Sequence, residues 1–246
     1  MKAIILAAGK GERLKEITKK TPKPMLKVKG EIILEHNLKW LKRYGIREIF
    51  INLHHLPNLI RSYFKDGSKW GIEITYSYEK RILGTAGGVR KILSDCTKQK
   101  WYDDFLVVYG DNFYPLSYDL ERFINSHFRN EGIATIGLYR KKTEICKSGV
   151  AILNKDNLIV DFVEKPKLIN SKSKNQELRS DIIRRGLINT GLYAMNHKVL
   201  DYIPEGFSDF GRDVFPDLLK KRIPIYGYVF RDQLIAVDTV RLYEKH

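Results

Sequence analysis

The sequence predicts an α/β fold, with a doubly wound, mostly parallel sheet and a small β-rich extension. Three observations support this prediction. Short apolar runs alternate with amphipathic segments over residues 1–140, glycine or proline separates many of them, and residues 141–246 are richer in strand-like runs. Such alternation is typical of βα units on a parallel sheet. We expect a single domain over residues 1–246, made of these two halves.

Apolar patterns define the elements of the first half. Residues 2–7 are almost continuously apolar, as expected for a strand buried on both faces. A helix is predicted over 31–44, because Leu34, Leu38 and Leu41 follow helical spacing and Gly45 can end it. The other predicted strands are 48–53, 72–78, 105–109 and 133–139, the last completing the doubly wound half, and the other predicted helices are 58–64, 86–93 and 119–129.

The second half contains a predicted hairpin. Strands at 150–153 and 159–163 flank the turn-forming sequence at 154–157. Residues 166–186 are polar, basic and too long for an ordinary connection, so they are interpreted as a mobile loop or an inserted hairpin or helix. The remaining predictions are strands at 192–195, 225–230 and 234–237 and a helix at 214–221.

Composition and charge exclude several classes of protein. The longest apolar runs fall well short of the roughly 18 residues that cross a bilayer. The apolar N-terminus is short and followed at once by glycine and lysine, so it is interpreted as a buried strand instead of a signal peptide. Cys96 and Cys146 lack the spacing of a zinc site or disulfide framework. The net charge of +15 comes from scattered basic residues. We therefore expect a cytoplasmic protein without membrane or nucleic-acid partners.

A glycine-rich turn, LAAGKGERL, occupies residues 6–14 directly after the first predicted strand. Ligands bind open parallel sheets at the carboxyl ends of their strands. Glycines there let backbone N–H groups approach phosphate oxygens, and Arg13 adds a bidentate cation. The turn lacks the third glycine of a dinucleotide fingerprint and the G-K-[ST] of a Walker A loop. Taken alone, it could equally be a structural turn.

The sequence TPKPM follows at residues 21–25. The flanking prolines disfavour helix and hold Lys23 on a stiff, extended backbone. A rigidly mounted ammonium group suits the charge that develops during phosphoryl transfer. Taken alone, this segment is typical of a surface turn with an incidental lysine.

Taken in order with further segments, these two motifs resemble the opening signature of the sugar-1-phosphate nucleotidyltransferase family. The further segments are Glu79 with LGTAG at 83–87, GDN at 110–112, VEKP at 163–166, NTGLY at 189–193 and DFGRDVFP at 209–216. Residues 67–71 and 209–216 look most like mannose-1-phosphate guanylyltransferases. The resemblance implies a Rossmann-like nucleotide-binding half, a sugar-binding β-rich extension, a nucleoside triphosphate (NTP) and a sugar-1-phosphate as substrates, and Mg²⁺ as cofactor. It leaves room for a homodimer.

The resemblance also implies roles for the matching residues. The nucleotide would contact Leu6, Ala8, Gly9, Gly11, Arg13, Glu79, Gly84 and Thr85, and the sugar phosphate would contact Asn112, Gly149, Glu164, Lys165 and Asn189. The catalytic set would be Arg13, Lys23, Asp111 and Lys165. Mg²⁺ would bind Asp111 and Asp238, since a hard cation prefers carboxylate oxygen. Read without the resemblance, Asp111 could cap a turn and residues 164–165 could be a solvated strand end. Tyr193 is expected in the core.

The C-terminal segment departs from the family pattern. Members usually carry a second metal carboxylate in W-x-D-x-G-T-P, whereas residues 234–243 read LIAVDTVRLY. Asp238 can supply the carboxylate, but the tryptophan and the glycine are absent. This departure leaves the sugar or alcohol substrate open.

The resemblance implies that the residue five positions before Gly84, here Glu79, lies beside the base, and the nucleobase prediction rests on this residue. An ionised carboxylate only accepts hydrogen bonds, which suits the adjacent N1–H and amino group of guanine. We therefore expect GTP, with mannose- or heptose-1-phosphate as acceptor. The alternative for Glu79 is a strand end that faces water. Alternatives for the function are cytidylyl, uridylyl or thymidylyl transfer to another sugar-1-phosphate, a polyol phosphate or phosphocholine, and a non-catalytic homologue that senses nucleotide sugars.

Overall fold

The computed structural model describes residues 1–95, 103–140, 148–166, 186–237 and 239–244. Its strands are β1 (Lys2–Leu6), β2 (Lys27–Val28), β3 (Glu31–Ile32), β4 (Glu48–Leu53), β5 (Glu73–Tyr78), β6 (Phe105–Tyr109), β7 (Asn112–Phe113), β8 (Ala134–Tyr139), β9 (Gly149–Leu153), β10 (Ile159–Glu164), β11 (Leu187–Met195), β12 (Ile225–Phe230) and β13 (Ile235–Ala236). The α-helices are α1 (Glu16–Lys20), α2 (Ile33–Arg43), α3 (Pro57–Phe64), α4 (Gly84–Asp95), α5 (Leu120–Asn130), α6 (Phe215–Lys220) and α7 (Val240–Tyr243). Short 3-10 helices span Glu12–Leu14, Lys23–Met25, Ser68–Trp70 and His197–Tyr202, and a π-helical turn spans Phe210–Val214.

One sheet runs through the structure in the order β10-β9-β11-β6-β1-β4-β5, and β8 joins it by pairing with β11 and β12. The strands β6, β1, β4 and β5 are parallel to their neighbours in that group. The predicted α/β class with its mostly parallel central sheet is therefore confirmed. The predicted hairpin is also present, as the antiparallel pair β9 and β10.

Alternate residues of the central strands enter different core layers. Ile4 of β1 packs in the layer that contains Val89 of α4 and Leu218 of α6. Its neighbour Ile5 packs in the layer that contains Leu38 of α2 and Phe64 of α3. Because strand side chains alternate between the two faces, helices cover both sides of the sheet. The apolar run of β1 is continuous because both faces of this strand are buried under helices.

The expectation that 133–139 completes the parallel half is wrong. The antiparallel strand β11 lies between β6 and β8, so β8 belongs to the second half of the sheet. The strand predicted at 192–195 already begins at Leu187, because the Asn-Thr-Gly sequence at 189–191 does not interrupt it. Instead Gly191, with φ +71°, lets the backbone pass through an irregularity in the pairing with β8. The predicted helix at 31–44 begins at Ile33, because residues 31–32 pair with β2.

Two predictions fall largely or wholly outside the described residues. They are the loop or insertion over 166–186, of which only the two end residues are described, and the metal ligand Asp238. Across the described ranges, no helix has the length and apolar character needed to cross a membrane.

Candidate active site

The carboxyl ends of the parallel strands carry most of the predicted site residues. Residues 7–11 follow β1, residues 79–84 follow β5, and residues 110–112 follow β6. Three adjoining cavities lie here, and we name them after one lining residue each. The Glu79 cavity also has Ala8, Gly84 and Thr85 in its wall, the Lys10 cavity has Gly11 and Arg13, and the Glu164 cavity has Gly149 and Asn189.

Gly11 shapes the glycine-rich turn. Its φ of +65° is left-handed, and a Cβ there would lie 2.8 Å from Cγ2 of Thr18. The hydroxyl of Thr18 in turn donates to the carbonyl of Gly11 at 3.0 Å, and the Thr18 carbonyl accepts from His55 Nε2 at 2.7 Å. Only glycine therefore fits this position without strain. Thr18 is a structural contributor to the turn that the sequence did not reveal.

Lys23 is buried, so its interpretation as an incidental surface lysine is wrong. The extended Pro22 leads into the 3-10 turn, and the Lys23 side chain is 7% exposed. Its Nζ lies 2.6 Å from Oδ2 of Asp111, whose side chain is 35% exposed. A charge-assisted hydrogen bond thus joins the two predicted catalytic residues across 88 positions of sequence.

Helix α2 fixes the backbone that follows Asp111. Nδ2 of Asn37 donates to the carbonyl of Asn112 at 2.8 Å, and His36 Nε2 lies 2.7 Å from the carbonyl of Tyr114. Asn112 uses its own amide to donate to the carbonyl of Thr190 at 3.0 Å. The segment around Asp111 is therefore held from two sides. Neither His36 nor Asn37 belonged to a recognisable motif.

Glu79 lies in the wall of its cavity and is 1% exposed, so the alternative of a water-facing strand end is wrong. Oε1 accepts from Asn52 Nδ2 at 2.7 Å, and Oε2 accepts from the backbone N–H of Leu83 at 2.9 Å. Asn52 also accepts from the N–H of Ala7 at 2.7 Å, which ties β1, β4 and β5 together. Burial raises the pKa of the Glu79 carboxyl.

The first turn of α4 is capped from a distant part of the chain. The N–H of Thr85 donates to Oδ1 of Asp209 at 2.9 Å, and the N–H of Ala86 donates to the carbonyl of Ser208 at 2.9 Å. A Cβ at Gly84 would lie 2.4 Å from that carbonyl, so close approach requires glycine. These contacts satisfy N–H groups that a free helix terminus would leave for a ligand. The motif at 209–216 thus supplies the cap for the helix that begins within the motif at 83–87.

The Glu164 cavity has a volume of about 180 Å³. Oε2 of Glu164 lies 2.7 Å and 2.5 Å from the positions that a Cβ would take at Gly149 and Gly211. These two glycines therefore make room for the carboxylate, which is not a fully solvated strand end. Lys165 has φ +49°, and its Nζ lies 3.6 Å from Oε1 of Glu164. Such backbone strain in a non-glycine residue concentrates at functional sites.

Asn189 belongs to a chain of polar side chains along the same cavity. Its Nδ2 donates to the Tyr193 hydroxyl at 2.8 Å, and that hydroxyl donates to the Tyr109 hydroxyl at 3.2 Å. Burial raises the pKa of both tyrosines, which keeps them neutral donors and acceptors. Tyr193 is fully buried, as predicted. Tyr109 lines both the Glu79 and the Glu164 cavities.

Asp111 is the residue at which the three cavities meet, because it lines each of them. Lys23 lines the Glu79 and Lys10 cavities, and Arg13 lines the Lys10 and Glu164 cavities. One carboxylate therefore lines all three cavities, and each of two cations lines two of them. This arrangement suits an anionic group that passes between two ligands.

Among the described residues, no group of three or more His, Cys, Asp and Glu side chains could hold a metal ion. Asp111 is nevertheless a fitting donor for Mg²⁺. This ion usually binds one or two carboxylates and completes its shell with waters and substrate phosphates. The Asp111 side chain is partly exposed and lines the Lys10 cavity, so it meets that requirement. The role of Asp238 stays a prediction, although β13 pairs Ala236 with Asn112, beside Asp111.

The fold is an α/β fold whose candidate site lies at the carboxyl ends of the parallel strands. Residues 2–234 match the Nucleotidyl transferase family model, so the chain belongs to that family. A UTP–glucose-1-phosphate uridylyltransferase of Synechocystis is 37% identical over 92% of this chain and 57% of its own length. A mannose-1-phosphate guanylyltransferase of Mycobacterium tuberculosis is 30% identical over 97% of this chain and 62% of its own length. The chain thus spans somewhat less than two thirds of these two relatives.

A solved structure supports the same fold assignment. A Bacillus anthracis protein assigned as a glucose-1-phosphate thymidylyltransferase, in complex with sucrose, superposes with a TM-score of 0.79. The match covers 100% of this chain and 93% of that protein at 24% identity. At this identity the likeness concerns the fold.

Proposed function

We propose that this chain transfers a nucleotidyl group from an NTP to a sugar-1-phosphate and releases pyrophosphate. The observation that carries the proposal is the Lys23–Asp111 pair, which lies where the three cavities meet. In this proposal the nucleoside occupies the Glu79 cavity, the triphosphate follows the Lys10 cavity, and the sugar phosphate occupies the Glu164 cavity. The nucleotide-binding half is then 1–140, and the sugar-phosphate half is 141–246.

The proposed chemistry is a direct displacement. An oxygen of the sugar-1-phosphate attacks the α-phosphorus in line, the bond to the β-phosphate oxygen breaks, and pyrophosphate leaves. The attacking phosphate monoester is already ionised near neutral pH, so the reaction requires no protein nucleophile or general base. Both reactants are anionic, and their repulsion is the main barrier. Arg13, Lys23 and Lys165 lower it by neutralising charge and by holding the reactants in line.

Mg²⁺, held by Asp111 and by Asp238 in this proposal, would supply further charge neutralisation at the phosphates. Lys23 fits beside such a site, because its ammonium group balances the Asp111 carboxylate. Removal of divalent metal with EDTA should therefore abolish pyrophosphate release, and added Mg²⁺ should restore it. Unchanged release in EDTA would remove the metal from the proposal.

For the nucleobase we propose GTP, on the strength of Glu79. Both carboxylate oxygens already accept from protein donors, yet each oxygen has a second lone pair. Those lone pairs suit the two adjacent donors of guanine and repel the carbonyl oxygens of uracil. The donor Asn52 behind Glu79 keeps the carboxylate in one orientation. This proposal extends to mannose- or heptose-1-phosphate as the acceptor.

UTP is the competing nucleotide, because the relative with 37% identity is named as a uridylyltransferase. Pyrophosphate release with GTP, UTP, dTTP, CTP and ATP, each paired with mannose-, heptose- and glucose-1-phosphate, separates the candidates. We expect the largest kcat/KM with GTP. A larger value with UTP would refute the GTP proposal and leave nucleotidyl transfer intact. Nucleotide binding without turnover for every pair would favour the non-catalytic sensor.

Cytoplasmic location and a homodimer remain predictions. Subcellular fractionation checks the first, and light scattering coupled to size exclusion checks the second.

A further inference from the structure

We propose that Phe207 is a further nucleotide-binding residue, whose aromatic ring packs against the base of the bound NTP. The inference rests on the proposed function, which assigns the Glu79 cavity to the nucleoside. It adds a residue that none of the sequence motifs contains, since Phe207 precedes the motif at 209–216.

Backbone contacts fix the segment that carries Phe207. The N–H of Ser208 donates to the carbonyl of Leu83 at 2.9 Å, and the Ser208 carbonyl accepts from the N–H groups of Ala86 and Gly87 at 2.9 and 3.1 Å. Three hydrogen bonds therefore tie the residue next to Phe207 to Leu83 and to the first turn of α4, which follows Leu83. Ligand-binding residues on such anchored segments lose little backbone entropy when a ligand binds.

Phe207 is 60% exposed, more than any other large apolar residue in the described part of the chain. A single exposed apolar residue needs no special explanation by itself. Phe207, however, lies in the wall of the Glu79 cavity, together with Ala8, Glu79 and Gly84. A ligand in this cavity would cover part of the ring and remove apolar surface from water.

The base is the part of the ligand that fits this contact. The Glu79 cavity has a volume of about 300 Å³, within the usual range for a small-molecule site. Phe207 is absent from the walls of the Lys10 and Glu164 cavities, as far as the described residues define them. The charged phosphates and the sugar phosphate are assigned to those cavities, whereas a nucleobase presents a flat π-face. Stacking on an aromatic side chain is favourable for every base.

This assignment separates affinity from selectivity. Because stacking tolerates any base, Phe207 should strengthen the binding of GTP and UTP alike, whereas Glu79 should distinguish them. Truncation of a stacking aromatic typically weakens binding about 5- to 100-fold. We expect that loss for both nucleotides in Phe207→Ala, and most of it also in Phe207→Leu, which keeps an apolar side chain without the flat ring. Phe207→Trp should stay within about threefold of the wild type.

The test is calorimetric titration of Mg-GTP and Mg-UTP into the wild type and the three variants, without sugar phosphate so that no turnover occurs. Phe128→Ala is the matched control, because Phe128 is 54% exposed on α5 and lines a different cavity. It should bind both nucleotides like the wild type. Thermal melts should place all variants close to the wild type, since both rings are largely exposed. The KM for the sugar phosphate should not change in Phe207→Ala.

Dissociation constants for Phe207→Ala within twofold of the wild type for both nucleotides would overturn the inference and leave the proposed function untouched. An equal loss in Phe128→Ala would also overturn it. If the wild type binds nucleotides but releases no pyrophosphate with any acceptor, the proposed transfer fails, and the comparison of dissociation constants still decides the role of Phe207. A wild type that binds none of the five nucleotides would overturn both.

Discussion

Asp111→Asn should separate the structural role of this carboxylate from its catalytic role. The substitution keeps the shape of the side chain and removes its charge. In the wild type the nearly buried Lys23 ammonium lies 2.6 Å from the Asp111 carboxylate. In the variant the same ammonium faces a neutral amide oxygen. We expect a folded protein with reduced stability and with turnover lowered by about two orders of magnitude or more, on the scale for losing one electrostatic group at a phosphoryl centre.

The expected loss of stability follows from the hydrogen bond. The Lys23 ammonium keeps its charge in Asp111→Asn, so the bond loses only the charge of its acceptor. Loss of an exposed ion pair costs up to about 1 kcal/mol, and removal of one partner of a buried pair costs about 3–5 kcal/mol. We expect about 1–2 kcal/mol for this partly buried pair. A larger effect is not expected, because Asp111 is 35% exposed and water solvates it in part. In a Lys23→Met background the ammonium is absent, so Asp111→Asn should change the unfolding free energy by less than about 0.5 kcal/mol.

Urea unfolding of the wild type, both single variants and the double variant completes a double-mutant cycle. We expect a coupling energy of about 1–2 kcal/mol between the two positions. Activity should not follow stability, because the double variant lacks two groups of the proposed reaction centre and stays inactive. Equal destabilisation by Asp111→Asn in both backgrounds would refute the argued ion pair. Near-wild-type turnover of Asp111→Asn at saturating Mg²⁺ would remove Asp111 from the metal site.

Four other perturbations test separate parts of the structure. Gly11→Ala should destabilise the protein by about 1–2 kcal/mol because of its positive φ and the Cβ contact with Thr18, and Thr18→Ser in the same chain should recover part of this in urea unfolding; no recovery would count against the contact. Asp209→Ala should lower the free energy of unfolding by about 1 kcal/mol, because it removes the cap of α4. An unchanged urea midpoint would show that this cap does not stabilise the helix. Lys165→Ala should chiefly raise the KM for the sugar phosphate, and an unchanged KM would reject that contact. Burial raises the pKa of Glu79, so the folded state binds its proton more tightly, and this contribution to stability should fall as pH rises from about 4.5 through the raised pKa. Comparison of unfolding free energies for the wild type and Glu79→Gln across pH checks this, and parallel curves would contradict it.

The sequence predicted the parallel core well, because apolar periodicity and burial agree there. The strands at 48–53 and 105–109 have the predicted bounds, as does the strand at 225–230 in the second half of the sheet. Prediction failed at β11, where a strand continues through Asn-Thr-Gly. The same three residues would end an isolated strand. Here Gly191 carries the irregularity, and pairing with β8 and β9 before it and with β6 and β8 after it continues the strand. Long-range pairing of this kind has no local signal.

The sequence-predicted site residues in the described part of the chain line three adjoining cavities, but the residues that orient them were missed. Asn52 follows an apolar run and gave one weak signal, a polar side chain near the end of a buried strand. Thr18 and Asn37 gave none, since single polar residues are expected on the polar face of any amphipathic helix. Their roles depend on contacts with Gly11, seven positions before Thr18, and with Asn112, 75 positions after Asn37. A motif therefore predicts the groups that meet a ligand better than the groups that hold them.

The stereochemical course at the α-phosphorus tests the central claim most directly. The account holds that a sugar-phosphate oxygen attacks the α-phosphorus of the NTP directly, beside Asp111, without a covalent intermediate on the protein. With a chiral α-thio derivative of the preferred NTP and its sugar-1-phosphate, the nucleotide-sugar product should show inversion of configuration at phosphorus, with Asp111→Asn as the control that forms little product. Retention of configuration, which requires two successive displacements, or no nucleotide-sugar product from the wild type, would contradict it.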